Sequence, residues 1–526
     1  MMTYLRYWAI VGFLLIGAAV LSGVPDFTNK WPHVVVGFLV LPLTWALHYL
    51  QKKPFSWREP EFWAWLALAG TLVSTLFAGN VYAASLGWLV VAIGLVVFMA
   101  VRTLAQDHRQ VLQVGMLLLG VLWVGWAMLA THTSLPISWV PAVAKDPVAL
   151  AALAVPSLVA GFMLLKRQAF WKNCILLFAV VVCIAPFVLP SFYIRIQQDW
   201  QQTAVLTQAF ASMATSNAGF GVGADNATYE YLVSALVPSV LADRAPSTVL
   251  DIVSSFGIFG TLMLIAILAT TLLALRGRSR RTKIVMLAAV GVSQALCWVA
   301  NVWQYPGVWF GWWVLLGLCA APLPTVEIRG GDTRRYFRVV SISLSTLIAA
   351  QALVMGLGLN RFAAAERMAL SGDTKKAASL YAFSLRFDPD PEQRRAYAES
   401  LWLNNYQSKE LDEAAKQARL AYDWNRHDAF ARQIGARVAF SQGHNADAER
   451  LYRETLDRDP YFSLEVYLLF SDVYAKQKKT AEARAVLLEG LARYPANPTA
   501  GDVPNPVFLQ QLQKLRDRVE FLDKQE

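Results

Sequence analysis

The polar interval 191–247 carries the residue types that could do chemistry in this sequence, and an arginine lies near each of its ends. Arg195 is close to the start of the interval and Arg244 is close to its end. A guanidinium group stays charged and donates two parallel hydrogen bonds, a geometry that suits phosphate or pyrophosphate. The alternative is an arginine that reaches lipid headgroups while its stem stays in apolar surroundings. Both interpretations remain open; the first predicts that the two arginines bind an anionic leaving group.

Carboxylates in and just after the interval could accept a proton from an attacking hydroxyl group. Asp251 is the most informative of them, because it lies in the apolar run that follows, where an ionisable side chain is costly. Displacing a pyrophosphate needs positive charge on the leaving group and a base near the hydroxyl. The carboxylates of this region are Asp199, Asp225, Glu230, Asp243 and Asp251. The candidate catalytic residues are therefore Arg195, Asp243, Arg244 and Asp251.

Glycine and aromatic residues of the interval could form a substrate surface. The stretch GFGVG contains Gly219, Gly221 and Gly223, which permit a close approach of the backbone to a ligand. A simple turn explains the same stretch equally well. The candidate substrate-binding residues are Trp200, Gly221, Gly223, Asp225 and Tyr229.

Signatures of soluble enzymes and of metal sites are missing from the sequence. It contains no GxxxxGK(S/T), no HExxH and no GxSxG. The six histidines are scattered, and none is paired at the spacing of metal ligands. The four cysteines lie in apolar runs without a CxxC pair, which favours small buried side chains over disulfides. We expect no metal and no cofactor.

The elements that must position these residues are apolar. Hydrophobic residues make up 56% of the 526-residue chain, which favours a membrane protein over a soluble one. Eleven segments are long enough to cross a bilayer. They are 7–23, 33–50, 62–79, 82–101, 111–131, 147–165, 173–190, 248–274, 284–303, 307–321 and 338–358.

Basic residues orient these segments. If the N-terminus is cytoplasmic, the inside connections carry 18 Lys and Arg, and the outside connections carry four. This bias follows the positive-inside rule, so the interval 191–247 and the chain after Leu359 are predicted to face outward. The net charge of +10 is explained by the cytoplasmic connections, and a nucleic-acid partner is not expected.

A helical repeat begins after residue 360, where the composition shifts to Ala, Arg, Glu, Asp, Tyr and Leu. In each repeat, small or aromatic residues recur at fixed offsets before a last position. The last positions of the four repeats are residues 389, 426, 460 and 495. These positions are 37, 34 and 35 residues apart, which resembles the tetratricopeptide period. The repeated sets are Ala377, Tyr381, Ser384 and Pro389; Ala414, Ala418, Ala421 and Arg426; Ala448, Tyr452, Thr455 and Pro460; and Ala483, Leu487, Gly490 and Pro495.

The predicted fold is therefore all-α, with a polytopic membrane bundle followed by an α-solenoid. Residues 1–359 form the membrane domain with its large external loop 191–247, residues 360–500 form the tetratricopeptide domain, and residues 501–526 form a tail. Solenoids of this kind usually hold a protein partner, so we expect one here.

The order of motifs around the interval resembles a family of membrane enzymes. An arginine opens the loop, Trp200 and an Ala-rich helix follow, and GFGVG precedes a span that contains FGIFG. The later stretch CWVANVWQYPGVWFGWWVLLGL is similar to the last pair of helices of that family. The family comprises O-antigen ligases, Wzy-type O-antigen polymerases and O-oligosaccharyltransferases, and the resemblance covers about residues 190–320.

This resemblance implies a metal-independent, inverting glycosyltransferase with a GT-C-like fold in the bacterial inner membrane. The donor would be a glycan on undecaprenyl pyrophosphate, used at the periplasmic face. Arg195 would match the arginine that binds the donor pyrophosphate, and Gly221 and Gly223 would match the glycine turn. The family's His-Asn or His-Ser pair has no histidine here, because that place reads Ala245-Pro246-Ser247-Thr248.

Three classes of function follow. The leading hypothesis is a polysaccharide polymerase, in which an acceptor sugar hydroxyl attacks the lipid-linked glycan. Its alternative among enzymes is a ligase that moves the glycan to a lipid A core or to a protein. A non-catalytic membrane-anchored scaffold for envelope polysaccharide assembly is the alternative of another class, and the missing histidine favours it. A transporter is disfavoured, because charges within the apolar segments are sparse.

Overall fold

The computed structural model describes residues 2–23, 30–50, 60–104, 106–132, 152, 207–208, 210–223, 247–274, 283, 287, 290–291, 305–320, 332–404, 408–426, 428–459, 463–493 and 506–524. All regular elements within these ranges are helices, which confirms the all-α prediction. The chain divides into two compact units. The first contains the described residues up to Gly356 except Gly79–Tyr82; the second contains those four residues and the chain from Leu357 onward.

The helices of the first unit are apolar and mostly 18 residues or longer. They are α1 (Met2–Gly23), α2 (Trp31–Leu50), α3 (Pro60–Phe77), α4 (Val81–Thr103), α5 (Gln106–His132), α6 (Thr248–Ala274), α7 (Pro306–Cys319) and α8 (Asp332–Leu370). The last of these continues into the second unit.

Three helical stretches among the described residues are long and apolar enough to cross a membrane. They are Val81–Thr103, Thr248–Ala269 and Ser345–Leu370. Shorter apolar stretches occur in α1, α2, α3 and α7. The predicted segments 147–165, 173–190 and 284–303 lie almost entirely outside the described residues. The eleven-span bundle therefore stays a prediction.

Every residue of helix α7 is buried. Glycines let its neighbours approach, since a Cβ at Gly94 of α4 would lie 2.8 Å from Cζ2 of Trp313. A charged side chain donates hydrogen bonds to the backbone carbonyls at the C-terminal end of α7. The buried Arg109 donates to the carbonyls of Gly317 (2.6 Å), Leu318 (2.9 Å) and Ala320 (2.9 Å). A helix end leaves such carbonyls without intrahelical partners, so this arginine acts as a C-cap from another helix.

Among the residues that the structure describes, the second unit contains the end of α8 and eight further helices. They are α9 (Thr374–Ser384), α10 (Pro391–Asn404), α11 (Ser408–Trp424), α12 (Ala429–Ser441), α13 (Asn445–Arg458), α14 (Leu464–Lys476), α15 (Thr480–Arg493) and α16 (Pro506–Asp523). Aspartate side chains cap the N-termini of three of them: Asp373 accepts from the N–H of Lys376, Asp390 from that of Glu392 and Asp428 from that of Ala431. Successive helices form hairpins that stack into a solenoid.

The residues that the repeat predicted to be internal are buried in the solenoid. Ala377, Ala414, Ala448 and Ala483 are each 0% exposed, because each lies where a helix contacts its partner. Tyr452 lies 5.8 Å from the ring of Phe470 in a stacked arrangement, ring centroid to ring centroid. The prediction of a tetratricopeptide-like solenoid is therefore confirmed.

Candidate functional site

Helix α6 begins with a cap and is broken in its middle. Ser247 caps it, since its Oγ accepts from the N–H of Leu250 at 3.2 Å. Ten residues later Gly257 has φ 57° and ψ −139°, a conformation that side chains other than that of glycine rarely permit. The break leaves the carbonyls of the preceding turn without partners inside the helix. A segment from elsewhere in the chain must satisfy them.

The turn Asn217–Gly223 provides these partners. Gly221 has φ 74° and Gly223 has φ 92°, so the turn also depends on glycine. Three backbone hydrogen bonds join the turn to α6: Val222 N–H to Ser254 O (2.9 Å), Gly223 N–H to Ser255 O (2.8 Å) and Ile258 N–H to Ala218 O (2.9 Å). We call this arrangement of residues 217–223 and 254–258 the glycine crossing.

Space at the crossing excludes larger residues. A Cβ at Gly221 would lie 2.6 Å from the backbone nitrogen of Phe256, and one at Gly257 would lie 2.7 Å from that of Gly221. Both distances are shorter than real Cβ contacts, and the neighbours are backbone atoms that cannot rotate away. A Cβ at Gly219, by contrast, would meet nothing within 4 Å. The crossing therefore requires glycine at 221 and 257 but not at 219.

Helix α3 completes the crossing from a third direction. Ser74 Oγ donates to the carbonyl of Ser255 at 2.9 Å, so this oxygen accepts from both α3 and the turn. Gly70 of α3 leaves room for the ring of Phe259. Phe220, at the tip of the turn, is 51% exposed and its ring centroid lies 5.8 Å from that of Phe259. The crossing is therefore held together by hydrogen bonds to backbone carbonyls and carries the exposed ring of Phe220 on its outer surface.

Asp251 lies in the first turn of α6, between the cap and the break. Its backbone N–H donates to the carbonyl of Ser247 at 3.0 Å, and its carbonyl accepts from Ser254 Oγ at 3.2 Å. The side chain is partly exposed. A negative charge in the first turn of a helix interacts favourably with the helix dipole.

The structure thus describes three of the predicted site residues, which lie in the first half of α6 and in its partner turn. Gly221 and Gly223 belong to the crossing, and Asp251 lies less than two turns from the break. The other six predicted residues, which are Arg195, Trp200, Asp225, Tyr229, Asp243 and Arg244, lie outside the described residues. Their roles remain predictions.

Sequence reasoning missed two parts of this site. The break at Gly257 was hidden, because glycine inside a long apolar run is compatible with an unbroken helix. The bond from Ser74 joins residues that are 181 positions apart, which no local pattern reveals. Among the residues that the structure describes, no group of three or more His, Cys, Asp or Glu side chains could hold a metal ion.

The second unit carries a polar hollow of about 400 Å³ on its surface. Its lining residues are Ala446, Glu449, Arg450, Arg453, Glu454 and Tyr474. Glu449 accepts hydrogen bonds from Tyr474 (3.2 Å), Gln477 (3.3 Å) and Lys479 (3.3 Å). Partial burial acts to raise the pKa of the Glu449 carboxyl, but the hydrogen bonds outweigh burial and hold that pKa below its ordinary value.

Comparison with known proteins identifies part of the second unit. Residues 439–502 match the family model for a tetratricopeptide repeat. No curated protein matches the chain. The crystal structure of yeast Tom70 is similar at 11% identity and a TM-score of 0.28, over 93% of this chain and 92% of that one. That score is too low for an argument about fold or function. The match over 439–502 makes protein–protein interaction the general expectation for the repeats.

Proposed function

We propose that this protein is a polysaccharide polymerase of the bacterial inner membrane, related to O-antigen polymerases and ligases. The glycine crossing carries the proposal. The two glycine stretches on which the resemblance depends, GFGVG and FGIFG, are joined by backbone hydrogen bonds and require glycine at their contact. A shared fold constraint explains why both stretches occur in this order in one sequence.

The membrane placement in this proposal is supported by the surface of the first unit. Apolar side chains are exposed along the helices at helical spacing, as on α6 at Ile258 (54%), Leu262 (48%) and Ile265 (56%). Exposed apolar stripes of this kind are costly in water and suit lipid. The distribution of basic residues predicts that the loop 191–247 and the repeats lie in the periplasm.

The proposed reaction needs a donor that is available outside the cell. Nucleotide sugars are cytoplasmic, so a glycan on a polyprenyl pyrophosphate is the consistent donor. The acceptor hydroxyl oxygen forms a bond to the anomeric carbon while the bond from that carbon to the pyrophosphate oxygen breaks. Arg195 and Arg244 stabilise the charge on the departing pyrophosphate. The hydroxyl proton passes to Asp243 or Asp251, which replaces the family histidine as the base.

The test uses cells that lack the protein and produce variants from a plasmid. Lipid-linked glycan is extracted and resolved by the number of repeat units. A polymerase predicts that single repeat units accumulate without the protein and that Arg195→Ala fails to restore long chains at a normal protein level. Long chains that stay on the carrier indicate a ligase, and an unchanged carrier pool contradicts both enzymatic proposals.

A non-catalytic scaffold is the second candidate, and the tetratricopeptide unit is the observation that favours it. Helical repeats of this type hold partner proteins more often than they catalyse. Deleting residues 360–526 separates the two candidates. An enzyme should keep some glycan transfer on added substrate after the deletion, whereas a scaffold should lose all function.

A further inference from the structure

Helix α8 contains a long uncharged stretch and continues into the second unit. Residues 339–360 contain no charged side chain, and Arg361 is the first charge after Arg338. At 1.5 Å per residue this stretch is about 33 Å long, which matches the hydrocarbon thickness of a bilayer. Arg361 therefore marks the end of the part of α8 that suits lipid.

Arg361 belongs to the second unit and lies at one edge of the solenoid, where its guanidinium group contacts the ring of Phe383. Because successive helices in the hairpins run in opposite directions, the ends of α9 and α11 and the starts of α10 and α12 lie on the edge at which α8 enters. We call this the proximal edge. The opposite edge contains the end of α16, since Asp523 pairs at 2.5 Å with Arg484 near the start of α15.

The proximal edge exposes aromatic rings, and each is paired with arginine. Phe383, at the end of α9, is 39% exposed, and the guanidinium carbon of Arg361 lies 5.3 Å from its centroid. Trp424, at the end of α11, is 40% exposed and is paired with Arg394 at 5.7 Å.

The third ring is the most exposed. Phe430, near the start of α12, is 53% exposed and is paired with Arg395 at 5.0 Å. Arg395 also lies 3.6 Å from the carboxylate of Asp428, which orients it beside the ring. The same arrangement of arginine on an exposed ring thus recurs along three successive hairpins of one edge.

Arginine beside an exposed aromatic ring matches the chemistry of the boundary between water and lipid. Aromatic rings concentrate at the level of the headgroups, and arginine binds their phosphates while its stem packs on apolar groups. Basic side chains near an anionic surface add attraction that decays over the Debye length.

We propose that the proximal edge of the repeat unit binds anionic lipid headgroups, so that Phe383, Trp424 and Phe430 enter the boundary layer of the membrane. The inference rests on the proposed membrane placement, because α8 must cross the bilayer for the edge to reach the headgroups.

The experiment places the photoreactive residue p-benzoylphenylalanine at single positions of the full chain in lipid nanodiscs. Positions 383 and 430 test the edge. Position 521 is the matched control, because Phe521 is 49% exposed and lies 5.5 Å from the guanidinium carbon of Arg518, but at the opposite edge. Position 347 tests the membrane placement, because Leu347 is 66% exposed within the uncharged stretch of α8. Lipid adducts are measured by mass spectrometry.

We expect lipid adducts at 383 and 430 to exceed those at 521 by about fivefold in phosphatidylglycerol, with a smaller excess in phosphatidylcholine. Equal adducts at 430 and 521 overturn the inference, as do adducts at 383 and 430 to protein alone. If position 347 forms lipid adducts and the edge positions do not, only this inference fails. If position 347 forms none, the membrane placement fails with it.

Discussion

The two units differ in the side chains that their helices expose. Helix α6 of the first unit exposes Ile258, Leu262 and Ile265, which follow one face of the helix. Helix α13 of the second unit exposes Arg450 and Glu454, which pair at 2.8 Å one turn apart. The interiors are alike in being apolar and closely packed. The units therefore differ in their exposed faces and not in their cores: the exposed face of α6 is apolar, as the proposed membrane placement requires, and that of α13 is charged.

Charge separates the units in the same way. Residues 357–526 contain 25 Lys and Arg and 25 Asp and Glu, so the net charge of +10 belongs to residues 1–356. In the second unit opposite charges pair across helices, as Arg437 and Glu465 do at 2.9 Å. In the first unit the buried Arg109 binds backbone carbonyls instead. The second unit also has a buried arginine that binds backbone carbonyls, since Arg432 donates to the carbonyls of Asp428 and Arg426.

The glycine crossing is where a single methyl group should most disturb the first unit. We expect Gly221→Ala to lower the free energy of unfolding by about 3–5 kcal/mol, because alanine disfavours positive φ and its Cβ would meet backbone. Gly219→Ala is the matched control, two residues away in open space. The melting temperatures of the two variants in detergent measure the difference. Equal melting temperatures for the two variants would show that the fold does not require glycine at position 221.

Removing an arginine should cost more stability in the first unit than in the second, as measured by the same melting experiment. Arg109→Ala leaves three carbonyls at the end of α7 without their donor, so we expect a loss of about 3 kcal/mol. Arg450→Gln removes an exposed pair one helical turn apart and should cost about 0.5 kcal/mol or less. Similar losses of unfolding free energy for the two variants would contradict the larger stabilising role of the buried arginine.

Glycines within the second unit test whether its core is as tight as that of the first. A Cβ at Gly490 would lie 2.7 Å from Cγ of Tyr467, so Gly490→Ala should cost about 1–3 kcal/mol. Gly435→Ala is the control, because its Cβ would make an ordinary contact of 3.4 Å with Leu451. It should be neutral or stabilising, since alanine favours helix. Hydrogen exchange of α12 and α15 measures each effect locally, and a loss at Gly435 alone would contradict the packing.

The smallest effect concerns pH and the surface of the second unit. The pKa of Glu449 is lowered in the folded state, so its contacts contribute stability at neutral pH that is lost as pH falls through that lowered value. The protection of α13 and α14 against hydrogen exchange, corrected for the intrinsic exchange rate at each pH, should therefore fall slightly as pH drops through that lowered value. Glu449→Gln should abolish this change with pH. If Glu449→Gln loses as much protection at low pH as the unaltered protein, other carboxylates cause the loss.

The repeats were predictable because their pattern is local. Ala448 and Tyr452 are four residues apart on one helix face, and the period near 35 residues repeats that face at each hairpin. Burial follows directly from the spacing, since each hairpin buries its apolar face only against a neighbour. Helices α1 to α8 were predictable in the same way, from the lengths of the apolar segments.

The candidate site was predictable only in part. Glycine at 221 and 223 and the carboxylate at 251 are visible as residue types in unusual places. The hydrogen bonds that join residues 217–223 to 254–258 are not, because backbone groups are the same in every sequence. Nothing in the letters around Gly257 distinguishes a break from a continuous helix.

The sequence by itself determined the described helices and the repeat, because periodicity and composition act within a few turns of chain. The tertiary structure decided which glycine breaks α6, which turn satisfies that break and which carbonyls Arg109 binds. It also decided that three arginine–aromatic pairs share one edge of the solenoid. These are contacts between groups far apart in the chain, and only packing brings them within hydrogen-bonding or ring-contact distance.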